Sequence, residues 1–213
     1  MNNLNFMEKL LDGVEVKWMP LGDIGQLIRG NGLQKKDFIE TGFPAIHYGQ
    51  IYTRYGLSAD KTFTYVSHDL AKKLSMAHKN DLLIATTSEN DVDVLKPVAW
   101  LGEPAVISGD MMLLRHDQNV KYLAYYFKTE EFQTQKTRYI TGTKVRRVSK
   151  DSLAKMTVPI PPLNVQSEIV RILDNFTELE AELEAELAAR KKQYEYYRNL
   201  LLSFPKPLEA VEK

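Results

Sequence analysis

The sequence contains no cysteine, which removes several kinds of site at once. Disulfide bonds and thiolate metal sites are excluded, and the cytoplasm is the expected compartment. No run of about 18 apolar residues is present, so no membrane-spanning segment is expected. The first residues lack a basic segment followed by an apolar core, so a signal peptide is not expected either.

Catalytic motifs are scarce as well. The histidines, which are His47, His68, His78 and His116, show no spacing typical of metal ligands. No Gly-x-x-x-x-Gly-Lys phosphate loop is present, and Ser88 lacks the flanking glycines of a hydrolase elbow. The segment Ile160–Leu163 faintly resembles the Pro-Pro motif of amino-methyltransferases, but it lacks the polar first residue and the aromatic residue. We therefore predict a non-catalytic chain without a metal ion or a cofactor.

Proline and glycine are absent from one long stretch, Asn164–Phe204, which lies between Pro162 and Pro205. This pattern predicts a single helix that Asn164 caps and that ends near Phe204. A helix of about 40 residues is roughly 60 Å long, which is too long to be buried against one compact domain. A coiled coil is therefore favoured over the alternative, one face of a large globular core.

Apolar residues recur at seven-residue intervals along this stretch, in two series that are each interrupted by one charge. The first series is Ile169, Phe176, Leu183, Tyr197 and Phe204, with Arg190 in its gap, and the second is Leu173, Leu187, Tyr194 and Leu201, with Glu180 in its gap. Together the series predict a coiled-coil seam of about five heptads.

The charges of the predicted helix are segregated, although the net charge of the chain is zero. Glutamates fill the first half from Glu178 to Glu186, and basic residues fill the second half from Arg190 to Arg198. An antiparallel homodimer would place each acidic half on a basic half and would let Glu180 meet Arg190. With layers centred near Ala185, the predicted interface consists of Ile169, Leu173, Phe176, Glu180, Leu183, Leu187, Arg190, Tyr194, Tyr197 and Leu201.

The rest of the chain has the pattern of one α+β domain with a mixed or antiparallel sheet and short helices. We expect a short helical segment at 1–13, this domain at 14–162, the long helix at 163–205 and a tail at 206–213. Strands are predicted at 14–20, 43–52, 81–86 and 156–160, and as a meander at 98–100, 105–107 and 111–115. Helices are predicted at 67–76, at 119–136 and shortly after Ser149.

A basic segment extends from Lys136 to Lys150 and contains no acidic residue. Lysine and arginine contact DNA phosphates, and arginine also binds the edge of guanine. Gly142 would let the backbone approach a ligand closely, on what we expect to be an exposed loop. The alternative is an ordinary solvated basic loop.

A second set of candidates lies earlier in the chain. Asn31, Lys35 and Lys36 lie in a glycine-rich loop. The side chains that alternate along a predicted strand are Tyr48, Gln50, Tyr52 and Arg54, which could also be an ordinary polar strand face. The predicted DNA contacts are Lys35, Lys36, Tyr48, Gln50, Arg54, Arg138, Thr141, Lys144, Arg146, Arg147 and Lys150.

Three segments carry a resemblance to a known family. They are Glu15-Val-Lys-Trp18-Met-Pro-Leu-Gly-Asp23, Val158-Pro-Ile-Pro-Pro-Leu-Asn-Val-Gln166-Ser-Glu-Ile-Val-Arg-Ile-Leu173 and Tyr194-Glu-Tyr-Tyr-Arg198-Asn-Leu-Leu-Leu202-Ser-Phe204. The chain resembles the DNA specificity subunits of type I restriction-modification systems. The resemblance implies a target recognition domain that reads one half of a bipartite site in double-stranded DNA. It also implies a spacer helix that docks methyltransferase subunits, with restriction subunits joining through the complex.

Family members usually carry two such units in tandem, and this chain has one. It is either a half-length subunit that dimerises or a fragment of a longer one. Two alternatives from other classes stay open at this point: a coiled-coil interaction module without a DNA role, and an enzyme that acts on nucleic acid.

Overall fold

The computed structural model describes residues 8–204 and divides the chain into two compact units, with the boundary between Val170 and Arg171. The first elements are a helical segment at residues 8–11 (α1), β1 (Lys17–Pro20), α2 (Leu21–Ile24), β2 (Gly25–Arg29), a 3-10 helix (Lys35–Asp37), β3 (Phe43–Ile46), α3 (Tyr48–Thr53), β4 (Ser58–Ala59), β5 (Thr64–Val66), α4 (His68–Ala71) and β6 (Met76–Ala77). They are followed by β7 (Leu82–Ala85), β8 (Thr87–Ser88), β9 (Pro97–Trp100), β10 (Ala105–Ile107), β11 (Met111–His116), α5 (Val120–Tyr126), α6 (Glu130–Thr137), β12 (Arg146–Arg147), α7 (Lys150–Ala154), β13 (Thr157–Ile160) and α8 (Leu163–Leu201).

A five-stranded sheet in the order β2-β11-β7-β9-β4 forms the centre of the larger unit. Its strands are antiparallel, except that β4 runs parallel to β9. One face packs on a four-stranded sheet, β5-β3-β10-β6, with Leu83 and Trp100 in the core between the sheets. The other face packs on α5, α6 and α7, where Ile84 belongs to the same cluster as Phe127. Burial on both faces explains why β7 is apolar at every position.

The predicted α+β class is confirmed, and so is the long C-terminal helix. The predicted meander is wrong, because β9, β10 and β11 follow one another in the sequence without pairing. Instead β9 pairs with β7 and β4, β10 with β3 and β6, and β11 with β2 and β7. These pairings distribute consecutive strands between two sheets, which the local sequence pattern does not specify.

The predicted strand at 43–52 ends at Ile46, and α3 replaces its second half. His47 caps this helix, since its Nδ1 accepts a hydrogen bond from Gly49 N at 3.2 Å. In return, His47 N donates to Gln50 Oε1 at 2.9 Å. This reciprocal cap starts a helix where the alternating pattern predicted a strand. The candidate contacts Tyr48 and Gln50 therefore lie in α3, and Arg54 is its C-terminal cap.

Two predicted helices are shorter than expected. The helix at 119–136 is divided into α5 and α6, because Thr129 caps α6 by accepting a hydrogen bond from Phe132 N at 3.3 Å. The break allows Phe127 and Phe132 to stack with ring centroids 4.0 Å apart. The helix predicted at 67–76 is capped by Ser67 as expected, but it ends at Ala71.

The long helix α8 contains 39 residues. Asn164 lies inside it and does not cap it as predicted; the helix begins at Leu163, and Pro162 O accepts a hydrogen bond from Gln166 N. The side chain of Gln166 is fully buried: its Oε1 accepts from Asn119 N at 2.9 Å, and its Nε2 donates to Pro161 O and Gln118 Oε1, each at 2.8 Å. These bonds hold the first turns of α8 to the larger unit.

From residue 175 to residue 204, every side chain is exposed in the single chain. Residues 8–11 of the predicted N-terminal helix are helical, and Gly13 follows with φ of +76°. The predicted tail at 206–213 lies outside the described residues. Within residues 8–204, no helix combines the length and the apolar character needed to cross a membrane.

Candidate nucleic-acid interface

The basic segment forms a clamped hairpin, residues 141–147, which we call the basic hairpin. Thr141 and Arg147 exchange two backbone hydrogen bonds, each 2.9 Å long. Gly142 has φ of +90°, and a Cβ atom at that position would lie 2.1 Å from Val145 O, so the turn requires glycine. The second arm, β12, pairs with β8 and so joins the hairpin to the core. The predicted exposed loop is therefore closed by its own bridge and anchored through its second arm.

The two neighbouring arginines of the basic hairpin have different environments. Arg146 is half-buried, its Nε lies 2.8 Å from Asp91 Oδ1, and its Nη1 donates to Gly142 O at 2.5 Å. Arg147 and Lys144 are exposed, and neither side chain has an ion-pair partner among residues 8–204. Arg146 thus stabilises the hairpin, while the cationic side chains of Arg147 and Lys144 are free to bind a ligand.

A groove of about 400 Å³ lies beside the basic hairpin. The tyrosines of α3 form one wall, the loop after β8 forms another, and Val145 contributes the tip of the hairpin. Tyr52 joins α3 to β8, since its hydroxyl donates to Thr87 O at 2.8 Å. The residues that line the groove are Tyr48, Gly49, Tyr52, Thr53, Thr87, Ser88, Glu89, Asn90, Asp93 and Val145. The structure therefore brings the predicted contact Tyr48 to the basic hairpin.

Burial favours the uncharged forms of two side chains in this region, Tyr52 and His47. Burial raises the pKa of the Tyr52 hydroxyl well above its usual range, so it stays protonated. Burial also lowers the pKa of His47, and the positive charge of Lys35 acts in the same direction, while Asp110 opposes it. A neutral His47 can accept the hydrogen bond that caps α3. Lys35 itself begins the 3-10 helix at Lys35–Asp37 and is exposed.

Other predicted contacts have structural partners or lie elsewhere. Gln50 is half-buried and uses its side-chain oxygen in the α3 cap. The guanidinium of Arg54 lies 5.3 Å from the ring centre of Phe63. Arg138 lines a separate concavity with Trp18 and the acidic Glu130 and Glu131. The remaining candidates, which are exposed on the surface, are Lys36, Thr141 and Lys150.

Lys136 does not belong to the exposed basic surface, which corrects its place in the predicted basic segment. Its side chain is 1% exposed, and its Nζ donates to Val92 O at 2.9 Å and to Val94 O at 3.0 Å. Burial lowers the pKa of Lys136, against the opposing effect of Asp93 and Asp91. This lysine supports the loop that forms one wall of the groove.

The sequence predicts a polar loop at Ser88–Asp93, but it assigns neither this loop nor Val145 to the candidate site. The loop reads as polar, and its turn is set by Asp93 N donating to Asn90 Oδ1 at 2.8 Å, which is a recognisable Asx signal. Nothing in the sequence indicates that Asp91 pairs with Arg146. Within residues 8–204, no group of three or more acidic or histidine side chains is arranged to hold a metal ion.

The fold combines an α+β domain, which carries the basic hairpin, with a long C-terminal helix. Residues 13–189 match the model of the type I restriction modification DNA specificity domain. The chain belongs to this family, and the predicted resemblance is confirmed.

Curated relatives agree with this assignment. The chain is 36% identical over 218 residues to the EcoR124I/EcoR124II specificity subunit of Escherichia coli, a match that covers 96% of this chain and 48% of the relative. It is 34% identical to the EcoprrI specificity subunit of Escherichia coli, covering 96% of this chain and 54% of the relative. The chain thus spans about half the length of the curated relatives that it matches.

Solved structures share the fold at low sequence identity. A chain from a structure of the assembly and conformational transition of a type I R-M system matches with a TM-score of 0.63 at 17% identity, covering 93% of this chain and 51% of that one. The HsdS subunit from Thermoanaerobacter tengcongensis matches with a TM-score of 0.56 at 18% identity, covering 86% and 45%. Both chains are about twice as long as the matched region.

Proposed function

We propose that this chain is a non-catalytic, sequence-specific DNA-recognition subunit of a type I restriction-modification complex, acting in the cytoplasm. The observation that carries the proposal is the basic hairpin, whose free cations Lys144 and Arg147 lie beside a groove with two tyrosines. Exposed cations supply affinity for the DNA backbone, and a groove with polar walls can discriminate base edges. Membership of the DNA specificity domain family supports this reading.

Four of the predicted contacts have environments that indicate a role. Lys144 suits a phosphate, because lysine acts as a mobile point charge. Arg147 suits a phosphate or a guanine edge, which arginine grips with two hydrogen bonds. Lys35 is an exposed cation that suits a phosphate. Gln50 acts through the α3 cap and so positions Tyr48 rather than touching DNA.

Recognition is assigned to residues 14–162 and dimerisation to residues 163–205. Support for a dimer comes from the apolar seam of α8, where Phe176, Leu183 and Tyr194 are each about two-thirds exposed. Arg190 has only exposed partners on its own helix, with its Nη2 at 3.5 Å from Glu186 Oε1. Such a contact contributes little, so the guanidinium is available to Glu180 of a second copy. An isologous antiparallel pair closes at two copies.

A two-fold dimer reads an inverted repeat, because the symmetry of the protein is matched by the symmetry of the site. The chain spans about half the length of its curated relatives, and two copies of it would supply two recognition units. The long helices then fix the spacer between half-sites and dock the methyltransferase subunits. Restriction subunits join through that complex. The chain itself performs no chemistry.

The test is a comparison of genome-wide base methylation in cells with and without the gene for this chain. Loss of methylation at one bipartite inverted-repeat motif, and its return when the gene is restored, is the expected result. An unchanged methylation pattern, with the partner methyltransferase subunits present in both strains, would contradict the proposal. A coiled-coil module without a DNA role predicts that unchanged pattern.

A further inference from the structure

Val145 is an apolar side chain in the middle of the basic hairpin. It stands between Lys144 and Arg146, and it is 43% exposed. Val145 lines the groove together with the polar residues Glu89 and Asn90. A single exposed valine is common on protein surfaces, so exposure alone does not distinguish this one.

The surroundings of Val145 distinguish it, because they hold it in place. The backbone bridge between Thr141 and Arg147 closes the hairpin with two hydrogen bonds of 2.9 Å. On one side, Gly142 turns the chain with its positive φ, and on the other, Arg146 is tied to Asp91 at 2.8 Å. Valine is also stiff at χ1, since it is branched at Cβ. Its methyl groups are therefore presented at a fixed position in the groove.

We propose that Val145 reads the C5-methyl group of a thymine in the major groove, a specificity contact that rests on the proposed function. The thymine methyl is the apolar group that base pairs display in the major groove, and apolar side chains contact it. Lys144, next to Val145, and Arg147, two residues after it, would hold the hairpin against the DNA backbone. Burying the thymine methyl against Val145 removes apolar surface from water, which favours A·T over G·C at that position.

The experiment begins with selection of bound duplexes from a randomised library by the full chain together with its methyltransferase subunits. Each thymine of the selected site is then replaced singly by deoxyuridine, which lacks only the methyl group. At one position per half-site, the wild-type affinity should fall about four-fold, the effect of withdrawing one methyl-sized group from contact. In Val145→Ala, the same replacement should leave the affinity unchanged.

Val14→Ala is the matched control, because Val14 is 44% exposed and lies outside the groove. It should retain the full sensitivity to deoxyuridine. The proposal is overturned if the wild type is indifferent to deoxyuridine at every position, if Val145→Ala keeps the wild-type sensitivity, or if the selected site contains no thymine. Failure to select any sequence would instead contradict the proposed function.

Discussion

Arg146 Nε lies 2.8 Å from Asp91 Oδ1, so an ion pair joins the basic hairpin to the loop that follows β8. The same guanidinium donates to Gly142 O, at the turn of the hairpin. One side chain thus connects two walls of the groove. A partly exposed ion pair contributes little to global stability, so its main consequence is the relative position of the hairpin and the loop.

Two neighbouring cations should affect DNA binding differently. Arg147→Ala should weaken binding to the cognate site by about 1–3 kcal/mol if Arg147 contacts a base edge. Lys144→Ala should weaken binding to all sequences and reduce the slope of log affinity against log salt by about one unit. Fluorescence anisotropy with cognate and scrambled duplexes over a salt series measures both effects. Lys79→Ala, an exposed lysine in the turn between β6 and β7, is the control. Wild-type behaviour in both hairpin variants would remove this surface from consideration.

Lys136 should matter for stability rather than for charge. Lys136→Met keeps the length of the side chain but leaves the carbonyls of Val92 and Val94 without their donor. Val94 is fully buried, and an unsatisfied buried carbonyl costs about 1–3 kcal/mol, so urea denaturation should show a loss of about that size. Lys150→Met, on the exposed start of α7, should change the free energy of unfolding by less than about 0.5 kcal/mol. Equal stability of the two variants would contradict the supporting role of Lys136.

The stability of the protein should fall in mild acid. Burial lowers the pKa of His47 below its unfolded value of 6.5, and burial lowers the pKa of His116 as well. The unfolded chain therefore binds protons at these histidines more tightly than the folded chain does. The stabilisation that the neutral histidines contribute is complete above the unfolded pKa of 6.5, and it is lost as the pH falls toward the folded pKa values. His47→Asn, which keeps an N-cap acceptor, should reduce this slope in urea denaturation between about pH 7.5 and about pH 5.5. His68→Asn, at an exposed histidine, should keep it; an unaltered slope in His47→Asn would refute the assignment.

Much of the fold follows from local pattern, and the exceptions have physical reasons. The apolar run Leu82–Ala85 and the uninterrupted helix that begins at Leu163 are where the sequence places them. The order of β9, β10 and β11 could not be predicted, because strand pairing between distant segments depends on which faces the sheets bury. The α3 helix was missed because its cap depends on a neutral histidine.

The candidate site was predicted in part. Lys144 and Arg147 are exposed on one hairpin, as their charge and the nearby glycine indicated. In the sequence, Lys136 could not be distinguished from these exposed cations, yet it lies on the side of α6 that faces the interior. The ion pair between Arg146 and Asp91 could not be predicted, since it joins segments that are far apart in the sequence.

The register of the proposed dimer is tested by reversing one charge. Arg190→Glu would place acid against acid at two symmetry-related layers, and the dissociation constant of the dimer should rise by at least about ten-fold. Adding Glu180→Arg restores both pairs with swapped sign and should recover most of that loss. Sedimentation equilibrium of the wild type, the single variant and the double variant measures the effect. A monomeric wild type at tens of micromolar, or a double variant no tighter than the single, would reject this register.

Reading of an inverted repeat by two copies of the chain is tested most directly by binding to designed duplexes. The half-site comes from the methylation motif, and the duplexes carry it once, as a direct repeat, or as an inverted repeat with spacers of increasing length. The full chain, with its methyltransferase subunits, should bind the inverted repeat most tightly at one spacer length, and the salt dependence should be steeper than for a single half-site. Equal affinity for the single half-site and for every inverted repeat would contradict a dimeric reader with a fixed spacer.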